Sequence, residues 1–228
     1  LAAPAYRSAS AYWPDTGWLC RRNRLPGGGE AVWFCDAGGP GLGPLYAHNH
    51  SDCLQVLLAV DGVPVLVDPG TFSYRAEDAW RDYFRSSAAH NVCTWDGADH
   101  GRARGTFMWD RVATVSHKPA NDTWEGNVRR ADGSAWHRSV RWDGPGHVTI
   151  DDTVQGPQKV DIAWQFGPDV EVALRDAHVD ARVGRHRLRF RLPSGFRWSL
   201  LHGSEDPIGG WYSPGFDRKV PSTALIGT

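Results

Sequence analysis

The sequence is short of cysteine, of lysine and of net charge, and each shortage removes a class of protein. Four cysteines, Cys20, Cys35, Cys53 and Cys93, are spread over 228 residues without a C-x-x-C pair. That excludes a disulfide scaffold and a zinc knuckle, while one disulfide stays open. Cys53 and Cys93 sit in apolar, strand-like surroundings and read as small buried residues. The 25 basic and 26 acidic side chains leave a net charge of −1. There is then no global electrostatic attraction to nucleic acid or to an anionic membrane. No apolar run approaches the ~18 residues that a membrane-spanning helix requires. Residues 1–5 have neither a basic start nor an apolar core, so no signal peptide is read there. Internal repeats, low-complexity segments, linkers and helical periodicity are also missing or nearly so.

Hydrophobic residues make up 41% and charged residues 22% of the chain, and there are 12 tryptophans. Those fractions are ordinary for a globular protein, and the length suits one large all-β domain or two small ones. Short alternating or apolar runs are punctuated by Gly, Pro and Asp, the pattern of an antiparallel β-sandwich. Strands are expected at 31–36, 53–60, 63–68, 91–95, 107–116, 135–142, 147–154, 161–166, 170–174, 178–183, 185–192 and 196–202. Asp61-Gly62, between two apolar runs, is a two-residue hairpin signal. One short helix is expected over 76–85, where Trp80, Tyr83 and Phe84 share a face. Lysine occurs only at Lys118, Lys159 and Lys219, so arginine carries nearly all the positive charge. Arginine grips carboxylate or sulfate through two bonds, which suits an acidic sugar; the plainer reading is a nucleotide-composition bias of the source genome. Arg185, Arg187, Arg189 and Arg191 alternate along one strand, either as a stripe for an anionic polymer or as a solvated outer face. Indole faces stack on sugar rings, but most tryptophans of a sandwich fill its core. Of Trp80, Trp95, Trp109 and Trp211, one or two at most are expected to touch a ligand.

Three segments concentrate reactive side chains. In His48-Asn49-His50-Ser51-Asp52, alternate residues of an extended chain project the same way. In Val67-Asp68-Pro69-Gly70, a carboxylate ends an apolar strand, and a buried carboxylate needs a metal, an opposite charge or several hydrogen bonds. In Ala88-Ala89-His90-Asn91, a histidine enters another apolar strand. Two imidazoles and a carboxylate are suitable zinc ligands, and three protein ligands leave a fourth position open. The structural alternative is that these histidines cap or brace the core. His117, His147, His178 and His186 lack such company and read as surface or sheet residues. A regular hairpin at Asp61-Gly62 would set Gln55 opposite Asp68 and leave His50 about 16 Å beyond it along an extended strand. A shared metal therefore requires the chain between His50 and Leu54 to turn back.

These segments together resemble a known family. His48 to Asp52, Leu66-Val67-Asp68-Pro69-Gly70-Thr71-Phe72-Ser73-Tyr74 and the run from Trp80 to Asn91 look like the C-terminal domain of heparinase II/III proteins. Trp95-Asp96-Gly97, His137 to Val140, Asp151-Asp152 and Gly210 to Phe216 support the likeness, which runs from about Tyr12 to the end. The resemblance implies a large two-layered antiparallel sandwich of the supersandwich kind, occupying 1–228 as one domain. It implies an N-terminal (α/α) toroid as partner domain, which this chain does not contain and which normally supplies a catalytic tyrosine. It implies His50, Asp68 and His90 as zinc ligands and His48 as the histidine beside the scissile bond, a base or a neutraliser of the substrate carboxylate. Arg85, Asn91 and Tyr83 are the further candidates for binding substrate. The activity implied is β-elimination on a uronic-acid-containing polysaccharide, by a secreted or periplasmic protein.

Two other readings remain open. A non-catalytic carbohydrate-binding or structural sandwich would keep the metal for stability. A cupin-like metal enzyme would add a third histidine ligand.

Overall fold

The computed structural model describes residues 10–75, 78–120, 122–156 and 159–228. Residues 1–5, where the absence of a signal peptide was read, and the first two residues of the expected helix lie outside that set. Period-two alternation builds the layers. Along Glu30–Cys35 the buried residues are Ala31, Trp33 and Cys35, and along Ala135–Gly144 they are Trp136, Arg138, Val140 and Trp142. Strand geometry sends such residues to one face, so each run presents a core side and a wet side.

The largest sheet has nine strands. Ser10–Trp13, Trp18–Arg24, Glu30–Cys35, Val56–Val60, Val63–Leu66, Val160–Phe166, Thr223–Gly227 and Trp198–His202 follow one another, and Cys93–Trp95 also pairs with Val160–Phe166. A four-stranded sheet runs His147–Gln155, Ala135–Gly144, Thr123–Arg129 and Thr114–Ala120. A third sheet holds Glu171–Leu174, His178–Val183 and His186–Arg191. All assigned pairings in these sheets are antiparallel. One continuous core joins them, with Trp33, Val56 and Trp95 from the first, Trp124, Trp136 and Val140 from the second, and Val179 and Val183 from the third. The expected antiparallel sandwich is therefore the observed architecture.

Local departures have local causes. The Asp61-Gly62 turn closes the hairpin with Val60 opposite Val63, both turn residues at positive φ. The register then slips, because Leu58 pairs with Leu66 while Ala59 pairs with Pro64. The slip is a β-bulge, consistent with a proline that has no ladder donor. The strand expected over 107–116 is two strands, Met108–Asp110 and Thr114–Ala120, split at Arg111 with φ 48°. Ser10–Trp13, Trp18–Arg24, Thr123–Arg129 and the strands after Gly203 carried too little apolar alternation to be read as strands from sequence. The four arginines lie outward, since Arg187, Arg189 and Arg191 are exposed and Arg189 pairs with Asp180 at 2.8 Å. The solvated-face reading fits them. All four cysteines are free, so the disulfide left open does not form.

The helix, α1, spans Asp78–Arg85. Its Tyr83 and Phe84, with Trp80 beside them, pack with Phe72, Ala89, Ile208 and Trp211 in a second, smaller core. That small core ties α1 to the loops described next.

Candidate functional site

Four loops meet at one end of the large sheet: 45–52, 67–75, 85–92 and 99–109. Backbone and hydroxyl bonds weld them. Ser51 N–H donates to Arg85 O at 2.8 Å, and His100 N–H donates to Ser51 Oγ at 2.8 Å. The Ser51 and Ser87 hydroxyls lie 2.7 Å apart, and Asp99 accepts from the Ser87 N–H at 2.8 Å. The chain turns back between His50 and Leu54, through a Gln55 N–H to Asp52 O bond of 3.0 Å and a Leu54 φ of 62°. The turn that a shared metal required is present.

It brings His50, Asp68 and His90 together, with one ligand atom from each lying within 4.8 Å of the others. His90 Nε2 is 3.3 Å from His50 Nδ1 and 3.5 Å from Asp68 Oδ2. The other His90 nitrogen, Nδ1, lies 2.6 Å from Ser86 O, an acceptor only, so Nδ1 carries a proton and Nε2 faces the cluster. Burial first, then the charge of His90, pushes His50 down to about 3, which keeps its imidazole neutral and able to donate a lone pair. For Asp68 burial opposes ionisation, but His90, the Gln55 amide at 3.1 Å and the Gly70 N–H at 2.8 Å hold its carboxyl below the usual range. Donors bound at ~2.1 Å to a tetrahedral ion stand about 3.4 Å apart, close to the two separations seen here. The donor set of two imidazoles and a carboxylate fits zinc, and among the described residues no third histidine joins it. The cupin-like reading needed that histidine and fails.

His48 is not part of the cluster. It is exposed, in a left-handed backbone conformation (φ 64°), with its N–H on Phe107 O at 3.0 Å. Its Nδ1 is 3.2 Å from the Tyr74 hydroxyl. Asp52 does not converge with the two histidines either; its carboxylate takes the Gln55 amide at 3.3 Å, and burial raises it to about 7. Extended-chain projection therefore failed for His48 and Asp52, because the segment is a loop.

Asn91 is fully buried and both ends of its amide are engaged, Nδ2 donating to Val67 O at 3.0 Å and Oδ1 accepting from Gln165 N–H at 2.6 Å. It anchors the strand after His90. Tyr83 is buried in the small core, where burial pushes its phenol up to about 12. Arg85 is also buried, bonded to Asp82 at 3.0 Å and lying 5.1 Å from the centre of the Trp109 ring. Of the four tryptophans singled out, Trp95 and Trp109 are core residues, whereas Trp80 and Trp211 are half-buried and share Lys219, whose ammonium lies 3.3 and 3.9 Å from their ring centres.

Residues missed in the sequence complete the site. Gln55 bridges Asp52 and Asp68, Thr71 Oγ1 stands 3.4 Å from His50 Nε2, and Ser86 orients His90. Arg81 and Phe107 surround Tyr74. None carries a pattern of its own, and Gln55 and Thr71 meet Asp68 and His50 across 13 and 21 positions of chain.

The fold and the motifs can now be set beside known proteins. Comparison with curated protein sequences gives no match. Among solved structures, a heparinase III described as the BT4657 gene product superposes with a TM-score of 0.73 at 18% identity, over 99% of this chain and 34% of that one. The heparan sulfate lyase HepC from Pedobacter heparinus gives 0.70 at 18% identity, over 99% and 34%. A second heparinase III gives 0.73 at 12% identity, over 97% and 34%. This chain thus spans about a third of those structures, and at such identity the likeness is one of fold. The sequence itself matches the family described as Heparinase II/III-like, C-terminal, over residues 6–228. With nearly the whole length matched, this chain belongs to the heparinase II/III-like C-terminal family.

Proposed function

We propose that this chain is the metal-carrying domain of a polysaccharide lyase that cleaves a uronic-acid-containing polymer by β-elimination, with His48 facing the reacting sugar. The observation that carries it is the pairing of an exposed, aromatic-clamped His48 with a three-donor cluster two residues away. The lyases whose fold it shares lend the reaction class, and the metal is read as zinc held by His50, Asp68 and His90.

The chemistry makes demands that these residues meet. A lyase removes the proton next to a carboxylate and expels the 4-linked sugar. Negative charge then accumulates on a group that is already anionic, and preorganised positive or N–H groups must absorb it. His48 is a side chain of that kind on the exposed surface, and its imidazole can present an N–H to an anionic group. A bound zinc ion would supply fixed positive charge beside the loop that carries His48. His50, Asp68 and His90 hold loops 45–52, 67–75 and 85–92 in one arrangement, so His48 keeps its place. The remaining catalytic groups are assigned to a helical toroid domain N-terminal to this one, in a protein that acts outside the cytoplasm.

A non-catalytic sandwich with a structural metal is the second reading, favoured by the complete burial of His90. Incubation of the intact protein with uronate polymers separates the two. The lyase reading expects ultraviolet absorbance from the new conjugated double bond, lost in His48→Ala with full metal content. No absorbance with any acidic polymer leaves the binding reading.

A further inference from the structure

We propose that Tyr74 is the positioning residue of His48: its hydroxyl donates to Nδ1, so that His48 offers an N–H at Nε2, rather than a bare lone pair, to whatever binds there. The activity arm of this proposal rests on the lyase reading; the structural arm does not.

The case begins with how firmly both rings are held. His48 Nδ1 and Tyr74 Oη are 3.2 Å apart, and the His48 ring lies between Tyr74 and Phe107 at centroid distances of 5.4 and 5.0 Å. Tyr74 in turn meets Phe107 at 5.1 Å, Phe216 at 5.3 Å and the Arg81 guanidinium at 5.1 Å. The segment carrying it is tied to the C-terminal hairpin, since Ser213 N–H donates to Pro69 O at 2.8 Å and Asp217 N–H to Phe72 O at 2.7 Å. A histidine on an exposed loop would ordinarily rotate about χ1 and χ2. Here each ring is flanked by other rings.

The direction of the bond follows from the two groups. Among the described residues His48 is the hydrogen-bond partner of the Tyr74 hydroxyl. A phenol ionises near ~10, so it is a far stronger proton donor than the N–H of a neutral imidazole. The Arg81 cation reinforces that direction. It is 3% exposed, its Nε donates to Thr106 O at 3.1 Å, and both terminal nitrogens have no hydrogen-bond partner among the described residues. A buried positive charge against the tyrosine ring favours electron density on the phenolic oxygen, hence donation of its hydrogen. Once Nδ1 accepts that hydrogen, the neutral ring carries its own proton on Nε2. Such a group hydrogen-bonds a carboxylate or sulfate; it does not abstract a proton. The base of the elimination then belongs to another group.

The test uses the intact, metal-loaded protein with 15N-labelled histidine. Nitrogen shifts report the tautomer directly. The expected result is Nε2–H at His48 in the native protein and a mixture of tautomers in Tyr74→Phe, with metal content and melting temperature unchanged. Nδ1–H in the native protein, or the same tautomer in Tyr74→Phe, overturns the proposal. In turnover, Tyr74→Phe lowers kcat about 10- to 100-fold with KM nearly unchanged, as for groups that orient a functional histidine. His48→Gln, whose amide supplies an N–H near the Nε2 position, retains activity that His48→Ala loses. Equal loss in both speaks for a base and against the proposal. A protein without turnover on any polymer defeats the lyase reading alone, because the nitrogen shifts still decide the tautomer.

Discussion

Two buried polar centres adjoin each other in this molecule, and they are built on opposite principles. At the first, Arg138 occupies a core position with zero exposure, and every terminal nitrogen is engaged. Its Nε and Nη2 grip the two oxygens of its cross-strand partner Asp152 at 2.8 and 2.9 Å. Nη1 reaches Leu54 O at 3.0 Å and Asn91 O at 2.6 Å. Burial works against the charge, yet Asp152 more than offsets it and raises the guanidinium above its ordinary value. At the second centre, His50, Asp68 and His90 bring one possible ligand atom each to within 4.8 Å of the others, with 3.3 Å between the imidazole nitrogens and 3.5 Å from His90 to Asp68. A saturated buried charge is scaffold; converging unsaturated donors are a ligand site. The two are linked, because the carbonyls that Arg138 holds belong to Leu54, which ends the His50 turn, and to Asn91, which follows His90.

That contrast can be broken by substitution. Arg138→Met leaves the part-buried Asp152 carboxylate with the Trp136 N–H but without its guanidinium and frees both carbonyls, so unfolding in urea should lose about 3–5 kcal/mol. Unchanged stability would show that the strut is dispensable. A second buried group tests the scaffold by pH. Burial holds His100 down to about 4 from 6.5, with Nε2 2.9 Å from Cys93 O and Nδ1 without a hydrogen-bond partner among the described residues. The folded value lies below the unfolded one, so this stability is fully present above 6.5 and is lost as pH falls from there toward 4. The share of the decline that belongs to His100 is about 1.4 kcal/mol per pH unit, roughly 3 kcal/mol in all. His100→Gln, which cannot titrate, should flatten that part of the curve; an equal slope would place the titration elsewhere. The smallest effect belongs to the second centre. With free zinc at 100 times its dissociation constant, chelation should remove about 2.7 kcal/mol from the native protein. The same chelation should do nothing to His50→Ala. A native protein indifferent to both zinc and chelator would return the cluster to the scaffold.

Much of the fold was legible because period-two alternation is a local property. Glu30–Cys35, Val56–Val60, Ala135–Gly144 and His178–Val183 were all visible from their apolar residues. Trp18–Arg24 and Thr123–Arg129 were not, because polar residues such as Arg21, Arg22, Asn23 and Glu125 interrupt the apolar pattern. Arg138 carried no local sign of being a core residue, since only the register that sets it opposite Asp152 gives its buried charge a partner. In the candidate site, His50, Asp68 and His90 were readable as residue types embedded in long ordered motifs. Their mutual distances were not.

The order of residues by itself determined the antiparallel architecture, the Asp61-Gly62 hairpin and the identity of the three candidate ligands, since each depends on neighbours a few positions away. Tertiary structure alone decided that Asp52 stays out of the cluster, that Asn91 and Tyr83 are internal, and that Tyr74 meets His48. Those outcomes hinge on where loops 45–52, 67–75 and 85–92 come to rest once the sheets have packed. Contacts between groups 18 to 40 positions apart are fixed by that packing and by the saturation of buried polar groups, which no local pattern records.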